Sequence, residues 1–228
     1  MTAVTVAQAR PSERADFIRK TYLHLAGAVA AFLVLEILLV PLLGPVMINI
    51  ASSGIGWMLV LGAFVLLGWM ARSLARSTSS LQLQYLGLGL YVLFEAIIFI
   101  PLIFIAVAYS DPTVLPTAAV LTGLMFAGLT AIAFITRKDF SFLSGILTLG
   151  GFLALGLIIC SFIFGFSLGL LFSVFMVALA SGAILYDTSN IIHHYRPGQH
   201  VAASLELFAS VALLFWYILR IVMALSRD

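Results

Sequence analysis

The fold of this chain is decided by the stretch LGLLFSVFMVALASGAILYD (168–187), which has no charged residue before its final aspartate. A helix needs about 20 mostly apolar residues to cross the hydrocarbon core of a bilayer. The stretch therefore predicts a membrane-spanning helix that ends at Asp187. The polar segment TSNIIHHYRPGQH (188–200) follows directly and marks the return of the chain to water.

The composition of the whole chain agrees with a membrane protein. Of its 228 residues, 63% are hydrophobic and only 9% are charged, whereas soluble domains carry about 25% charged residues. The mean hydropathy is +1.20. The net charge of +2 is too small to indicate a nucleic-acid partner, and the single cysteine, Cys160, excludes a disulfide within the chain. The natural surroundings of such a chain are a lipid bilayer.

Seven apolar runs have the length of a membrane span. They lie at residues 21–43, 55–71, 82–108, 114–135, 142–164, 168–187 and 203–225. The predicted breaks include PLLGP (41–45) and NIASSGIG (49–56), which together separate the first two spans, and FGFS (164–167), which carries no charge. The sequence thus predicts an all-α integral membrane protein with seven transmembrane helices. Six spans with one re-entrant segment is the alternative, because it would bring Arg220 and Arg227 to the cytoplasmic side.

The basic residues predict the orientation. Nine of the eleven Lys and Arg residues fall before the first span or in every second connecting loop, and such loops face the cytoplasm. We therefore expect a mobile cytoplasmic N-terminal tail (1–20), a single membrane domain (21–228) and a C-terminus outside. The start of the chain lacks the order of a secretory signal, in which an apolar core follows a short basic region at once.

Acidic residues inside the spans are the candidate functional residues, because an ionised carboxylate in hydrocarbon needs a partner, water or a proton. Asp187 and Glu206 fall at the cytoplasmic ends of spans six and seven, at the level of Arg72. These three side chains are expected to meet and to form a pH-sensitive cluster, with Glu95 further along a path to the outside. Carboxylates also suit Ca²⁺. The alternative is structural: Asp187 and Glu206 reach the interface or form ordinary ion pairs. For Glu36 the sequence favours neither reading.

The sequence gives little support for a metal site or for enzymatic catalysis. His24, His193, His194 and His200 all map to the cytoplasmic side. His193, His194 and His200 fall in one loop and are expected to be solvated, because their spacing is not that of a metal site. A modest pH response of these histidines is the alternative. The motifs of metalloproteases, of nucleophile-elbow hydrolases and of phosphate-binding loops are absent from the sequence. The sequence predicts that the protein is not an enzyme and has no resident cofactor.

Three segments resemble the Bax inhibitor / YccA family of multi-span membrane proteins. They are FIRKTYLHLAG (17–27), TRKDFSFLSG (136–145) and SGAILYDTSNIIHHY (181–195). The resemblance covers nearly the whole chain and is closest to the bacterial YccA branch. It implies a seven-helix fold in which the last helix is central.

The resemblance carries over to the site only in part. Asp187 matches an aspartate of span six, but the second aspartate of the calcium-leak branch falls at Ser210. Glu206 lies one helical turn earlier and can present a carboxylate on the same face. The arginine of span two falls at Ala71, beside Arg72.

Two functions follow as expectations. Resemblance to the YccA branch implies a modulator of a membrane-anchored AAA protease of the FtsH type, in the bacterial inner membrane. The polar N-terminal tail is of a kind that such a protease can grip. The alternative is a pH-sensitive calcium or proton leak gated by Asp187 with Glu206 and Arg72.

Overall fold

The computed structural model describes residues 5–77 and 80–226. In that part of the chain, seven α-helices are long and apolar enough to cross a membrane. They are α1 Pro11–Ser52, α2 Gly54–Ala75, α3 Leu81–Tyr109, α4 Val114–Thr136, α5 Leu143–Phe164, α6 Leu170–His193 and α7 His200–Leu225. The prediction of an all-α protein with seven spans is confirmed. Arg227, one of the two residues that favoured six spans, lies outside the described residues.

Helix α1 differs from its prediction at both ends. It continues through Pro41 and Pro45 as one helix of 42 residues, so the predicted break at 41–45 is wrong. The break predicted at 49–56 is confirmed at Ser53. Prolines are tolerated in membrane helices where neighbouring helices and local adjustments satisfy the freed carbonyl groups. Here α1 is pressed against α3, because a Cβ atom on Gly44 would run into the ring of Phe104.

The N-terminal segment is held in place, which corrects the expectation of a mobile tail for the described residues. A turn of 3-10 helix at Val6–Gln8 precedes α1. Val6 is fully buried, and its backbone N–H donates a hydrogen bond to the carbonyl of Tyr195 at 2.8 Å. Helix α1 then begins at Pro11, a residue well suited to a first helical position because its missing N–H would have no partner there.

Two short connections show how the sequence ends one helix and begins the next. Ser53 alone joins α1 to α2, and its hydroxyl accepts a hydrogen bond from the Gly56 N–H at 3.1 Å, which satisfies one free donor at the start of α2. The uncharged break at 164–167 is confirmed. Helix α5 ends at Phe164, and Gly165 has φ = 71°, a left-handed conformation that glycine adopts without strain.

The chain divides into two compact units. The first comprises Met1–Tyr109 and Tyr195–Phe208, with α1, α2, α3 and the beginning of α7. Helices α2 and α3 approach closely at Gly87, where an added Cβ would lie 2.5 Å from the carbonyl oxygen of Ala71 and from the nitrogen of Ala75. This close approach sets the position of the polar residues on both helices.

The second unit comprises Ser110–His194 and Ala209–Asp228. Its apolar core joins Ala154 of α5, Phe172 and Met176 of α6, and Tyr217 of α7. One guanidinium nitrogen of Arg220 donates a hydrogen bond to the Leu168 carbonyl at 3.1 Å, so this arginine has a partner in the α5–α6 connection and needs no cytoplasmic position. Helix α7 contributes to both units. Its central position stays a prediction from the resemblance.

Candidate functional site

The first unit contains a cluster of polar side chains around Glu206, at the beginning of α7. The carboxylate of Glu206 accepts a hydrogen bond from Arg72 Nε at 3.1 Å and another from Arg76 Nη2 at 2.8 Å. Its side chain is 17% exposed, against 39% for Arg72 and 63% for Arg76. The carboxylate is therefore held from one side by α2, with the more buried arginine closer to the interior.

Arg72 connects this carboxylate to two polar residues of α3. Its Nη2 atom donates a hydrogen bond to the Tyr91 hydroxyl at 3.2 Å, and its guanidinium lies 5.0 Å from the centre of the Tyr91 ring. Glu95, one turn further along α3, interacts with both Tyr91 and Arg72. Glu95 is 6% exposed. The close approach of α2 and α3 at Gly87, one turn before Tyr91, makes these contacts geometrically accessible.

The polar contacts thus run from Glu206 through Arg72 and Tyr91 to Glu95. We call these four residues, together with Arg76, the Glu206 cluster. Within the described residues, one oxygen of Glu95, Oε2, is buried without a hydrogen-bond partner. The cluster contains two carboxylates and two guanidinium groups, and its charges balance when both acids are ionised. Arrangements of this kind can be opened by protonation of an acid, because that removes one side of the ion pair.

The second unit contains the other acidic residue that the sequence singled out. Asp187, in the last two turns of α6, accepts a hydrogen bond from the Ser210 hydroxyl of α7 at 2.5 Å. Ser210 is 8% exposed and Asp187 is partly buried. The position at which the resemblance led us to expect a second aspartate is therefore in contact with Asp187, but it supplies a hydroxyl donor.

The structure thus groups the predicted site residues in two places. Arg72, Glu95 and Glu206 belong to the first unit, and Asp187 with Ser210 belongs to the second. Ala71 has no exposed side-chain surface and lies against α3, so the neighbouring Arg72 is the residue that reaches an acid. Their roles in ion binding and pH sensing stay predictions.

Sequence reasoning missed Arg76 and Tyr91. A usable signal existed for both, because each lies four residues from a residue already singled out: Arg76 follows Arg72, and Tyr91 precedes Glu95. Residues four apart lie on the same face of a helix. The helical period therefore extends the predicted site by one residue on each of these two helices.

A further set of polar contacts, which we call the loop cluster, joins the α4–α5 connection to the end of α6 in the second unit. Asp139 contacts the His194 ring nitrogen Nε2 at 3.1 Å and accepts a hydrogen bond from the Ser141 N–H at 2.9 Å. These two interactions, the backbone one first, lower the pKa of Asp139 to about 2. The N–H of Phe140 donates a hydrogen bond to the buried Ser189 hydroxyl at 2.9 Å.

The histidines are therefore not simply solvated, contrary to the prediction. His194 contacts Asp139, and His193 Nδ1 lies 3.0 Å from the Ser189 carbonyl. In the first unit, His24 Nε2 lies 2.9 Å from the Tyr85 hydroxyl, and the His24 and His200 rings are 4.9 Å apart. His24, His194 and His200 therefore each contact another element of the fold, and His193 contacts its own helix. Among the described residues, no group of three or more His, Cys, Asp or Glu side chains is placed to hold a metal ion.

Seven apolar helices with acidic residues buried among them define the class: a multi-span α-helical membrane protein with ionisable groups inside its membrane domain. The family follows from comparison with known proteins. The family model "Inhibitor of apoptosis-promoting Bax1" matches residues 14–228. The chain belongs to this family of Bax inhibitor proteins, as its three characteristic segments predicted.

Three relatives illustrate the range of the family. The chain is 41% identical over 110 residues to the uncharacterized protein PA2604 of Pseudomonas aeruginosa. It is 37% identical over 108 residues to "Modulator of FtsH protease YccA" of Escherichia coli, and each of these two matches covers 49% of the relative. The chain thus spans about half the length of these relatives. It is 28% identical over 236 residues to Bax inhibitor 1 of Schizosaccharomyces pombe, and this match covers 98% of the present chain and 82% of the relative.

Proposed function

We propose that this protein is a non-enzymatic modulator of a membrane-anchored AAA protease of the FtsH type in a bacterial inner membrane, with its N-terminus in the cytoplasm. The observation that carries the proposal is the similarity to the Escherichia coli modulator over nearly half of this chain.

The test is a reconstitution. The purified protein and an FtsH-type protease are placed in the same lipid vesicles, and the degradation of a membrane substrate is followed over time. We expect the degradation rate to fall as the ratio of this protein to protease rises, and the two proteins to co-purify. A seven-helix membrane protein of another family is the control for crowding. Unchanged degradation together with a lack of co-purification contradicts the proposal.

A pH-sensitive leak for calcium or protons is the second candidate function. The observation that favours it is the Glu206 cluster, in which one carboxylate is held by two arginines and a second, Glu95, is buried beside them. Loss of the ion pairs with Arg72 and Arg76 would release the beginning of α7 from the end of α2 at this point.

Flux measurements separate this candidate from the first. Proteoliposomes that contain a calcium dye should show a flux that changes with pH across the neutral range. The double variant Asp187→Asn with Glu206→Gln should lose that pH dependence, because both acids are replaced by neutral side chains of similar shape. A flux that the double variant leaves unaltered, or the absence of any flux, excludes the leak. Either result leaves the protease experiment to be decided separately.

A further inference from the structure

Glu36, near the middle of α1, is a buried acid outside the Glu206 cluster. Its side chain is 5% exposed, and within the described residues neither carboxylate oxygen has a hydrogen-bond partner. Two orphaned oxygens on one buried carboxyl group are unusual, because buried polar groups in proteins are nearly always hydrogen-bonded. Ordinary packing therefore does not explain why a carboxyl group occupies this buried position.

The packing of α1 shows where Glu36 points. Phe32 lies one turn before it, and its ring packs edge to face against Phe99 of α3 at 5.1 Å. Gly44 lies two turns after it and is pressed against Phe104, also on α3. Residues four apart share one face of a helix. Glu36 therefore lies on the buried stripe of α1 that faces α3, between two points of close apolar contact.

Charged partners do not compensate for this burial. Among the described residues, the titratable groups on helices that pack against α1 in this unit are Arg72 on α2, Tyr85, Tyr91, Glu95 and Tyr109 on α3, and His200 and Glu206 on α7. Four of them interact with one another in the Glu206 cluster.

Of the other three, Tyr109 is the exposed last residue of α3, and its ring contacts Phe104, the residue beside Gly44. Tyr85 and His200 lie at one end of α1. Tyr85 and His200 are both in contact with His24, which is twelve residues before Glu36 and so about 18 Å away along the helix. Within the described residues, none of these groups forms a hydrogen bond with the Glu36 carboxyl group.

We propose that Glu36 is a proton-binding site inside the membrane. An isolated carboxylate in an apolar interface is strongly disfavoured, and such a group binds a proton to become neutral. Glu36 is then the neutral acid as long as α1 and α3 are packed. It releases its proton when this interface opens to water or to a cation that can replace the proton. The site is independent of the proposed protease or leak function and uses none of their residues.

The first test is chemical. A hydrophobic carbodiimide reacts with a neutral carboxylic acid: the carboxyl oxygen bonds to the central carbon of the reagent, and the acid proton moves to a nitrogen. The adduct then rearranges to a stable N-acylurea without a further reactant. We expect dicyclohexylcarbodiimide to label the peptide that contains Glu36 in lipid vesicles at neutral pH. The label should be absent from Glu36→Gln and from Asp16, an exposed acid on the same helix that forms ion pairs with Arg19 and Lys20.

The second test does not depend on access of a reagent. Infrared spectra of the wild-type protein and of Glu36→Gln are subtracted at neutral pH. We expect the carbonyl band of a neutral carboxylic acid to be lost in Glu36→Gln. If the variant instead loses the bands of an ionised carboxylate, Glu36 is charged in the folded protein and the proposal is overturned, whatever the labelling result.

The link between proton release and opening of the interface has its own measurement. Hydrogen–deuterium exchange of the peptide around Glu36 is compared in the wild type and in Glu36→Gln at increasing pH. The exchange rate of the wild type is divided by that of Glu36→Gln, which cancels the intrinsic pH dependence of exchange. We expect the ratio to rise once Glu36 ionises, because the glutamine of the variant stays neutral. A ratio that stays constant while the infrared band of the acid disappears overturns this link.

Discussion

Ser210 shows how a single residue changes the chemistry of a buried site. Its hydroxyl donates a hydrogen bond to Asp187 at 2.5 Å, so Asp187 is stabilised by a neutral donor at the position where the family resemblance led us to expect a second aspartate. The family resemblance predicted that Ser210 occupies the position of this second aspartate. The sequence could not show whether the carboxylate of Glu206 replaces the missing aspartate, because that depends on the rotation of each helix about its own axis.

Ser210→Asp should convert this contact into a pair of carboxylates. Two carboxylates at hydrogen-bond distance share one proton readily but repel each other when both are ionised. As the pH rises, the thermal unfolding temperature of Ser210→Asp should therefore fall relative to that of Ser210→Asn, which cannot ionise at position 210. Parallel curves for the two variants would show that residue 210 and Asp187 do not interact in the folded protein.

The ion pairs of Glu206 predict a graded loss of stability. Glu206→Gln removes the charge that both arginines contact, and we expect a loss of about 1 to 2 kcal/mol in the free energy of unfolding, between the values for exposed and buried ion pairs. Arg76→Gln should cost less than Arg72→Gln, because Arg76 is the more exposed of the two. Denaturant unfolding in detergent measures this order, and equal losses for the two arginine variants would contradict it.

Asp139 predicts a dependence on acid pH. Its pKa is lowered from 3.8 to about 2 by the Ser141 N–H and by His194. A group with a lowered pKa stabilises the fold fully above its unfolded value, and this contribution is lost as the pH falls through the folded value. Asp139→Asn should therefore unfold at a lower temperature than the wild type at neutral pH, and the two should converge at about pH 2. A difference that persists unchanged in acid would assign the effect to packing.

At the scale of helices, the pattern of apolar runs was sufficient to find each span. Even the uncharged break at 164–167 is where α5 ends, since Gly165 permits the left-handed conformation there. The continuity of α1 through Pro41 and Pro45 was not predictable from these prolines. Whether a proline breaks a membrane helix depends on the neighbours that satisfy the free carbonyl groups, and those neighbours become visible only in the folded protein.

The close approach of α2 and α3 gives a prediction with a matched control. Gly87→Ala should destabilise the protein on the order of 1 to 2 kcal/mol, since the new methyl group would lie 2.5 Å from backbone atoms of α2 and overpacking costs more than alanine gains in a helix. Gly89→Ala meets nothing within 4 Å and should be neutral or stabilising by up to about 1 kcal/mol. If both variants are equally stable, α2 and α3 are not in contact at Gly87.

At the scale of the whole molecule, an odd number of spans predicts that the two ends of the membrane domain face opposite sides. In a Cys160→Ser background, Ser141→Cys should react with a membrane-impermeant thiol reagent from the cytoplasmic side. Ser167→Cys and Ser226→Cys should react from the other side, and all three serines are exposed. Labelling of positions 141 and 226 from the same side would contradict the seven-span topology.

The partners of the buried polar groups are the part of the molecule that the sequence did not predict. Depth along a helix placed Arg72 and Glu206 at one level, which agrees with their contact. The depth of a residue along its helix does not give the rotation of that helix about its axis, however, so Tyr91 and Arg76 were missed. The anchoring of Val6 was also missed, because one backbone hydrogen bond between distant parts of the chain leaves no trace in composition or period.

The bond between Val6 and Tyr195 has a mechanical consequence. A machine that pulls on the N-terminal side must first break this bond and then unwind α1, whose 42 residues form a rod about 63 Å long. Force would act on the first span and on the connection before α7 at the same time, since Tyr195 lies there. A pull on this segment is therefore resisted by two parts of the first unit together.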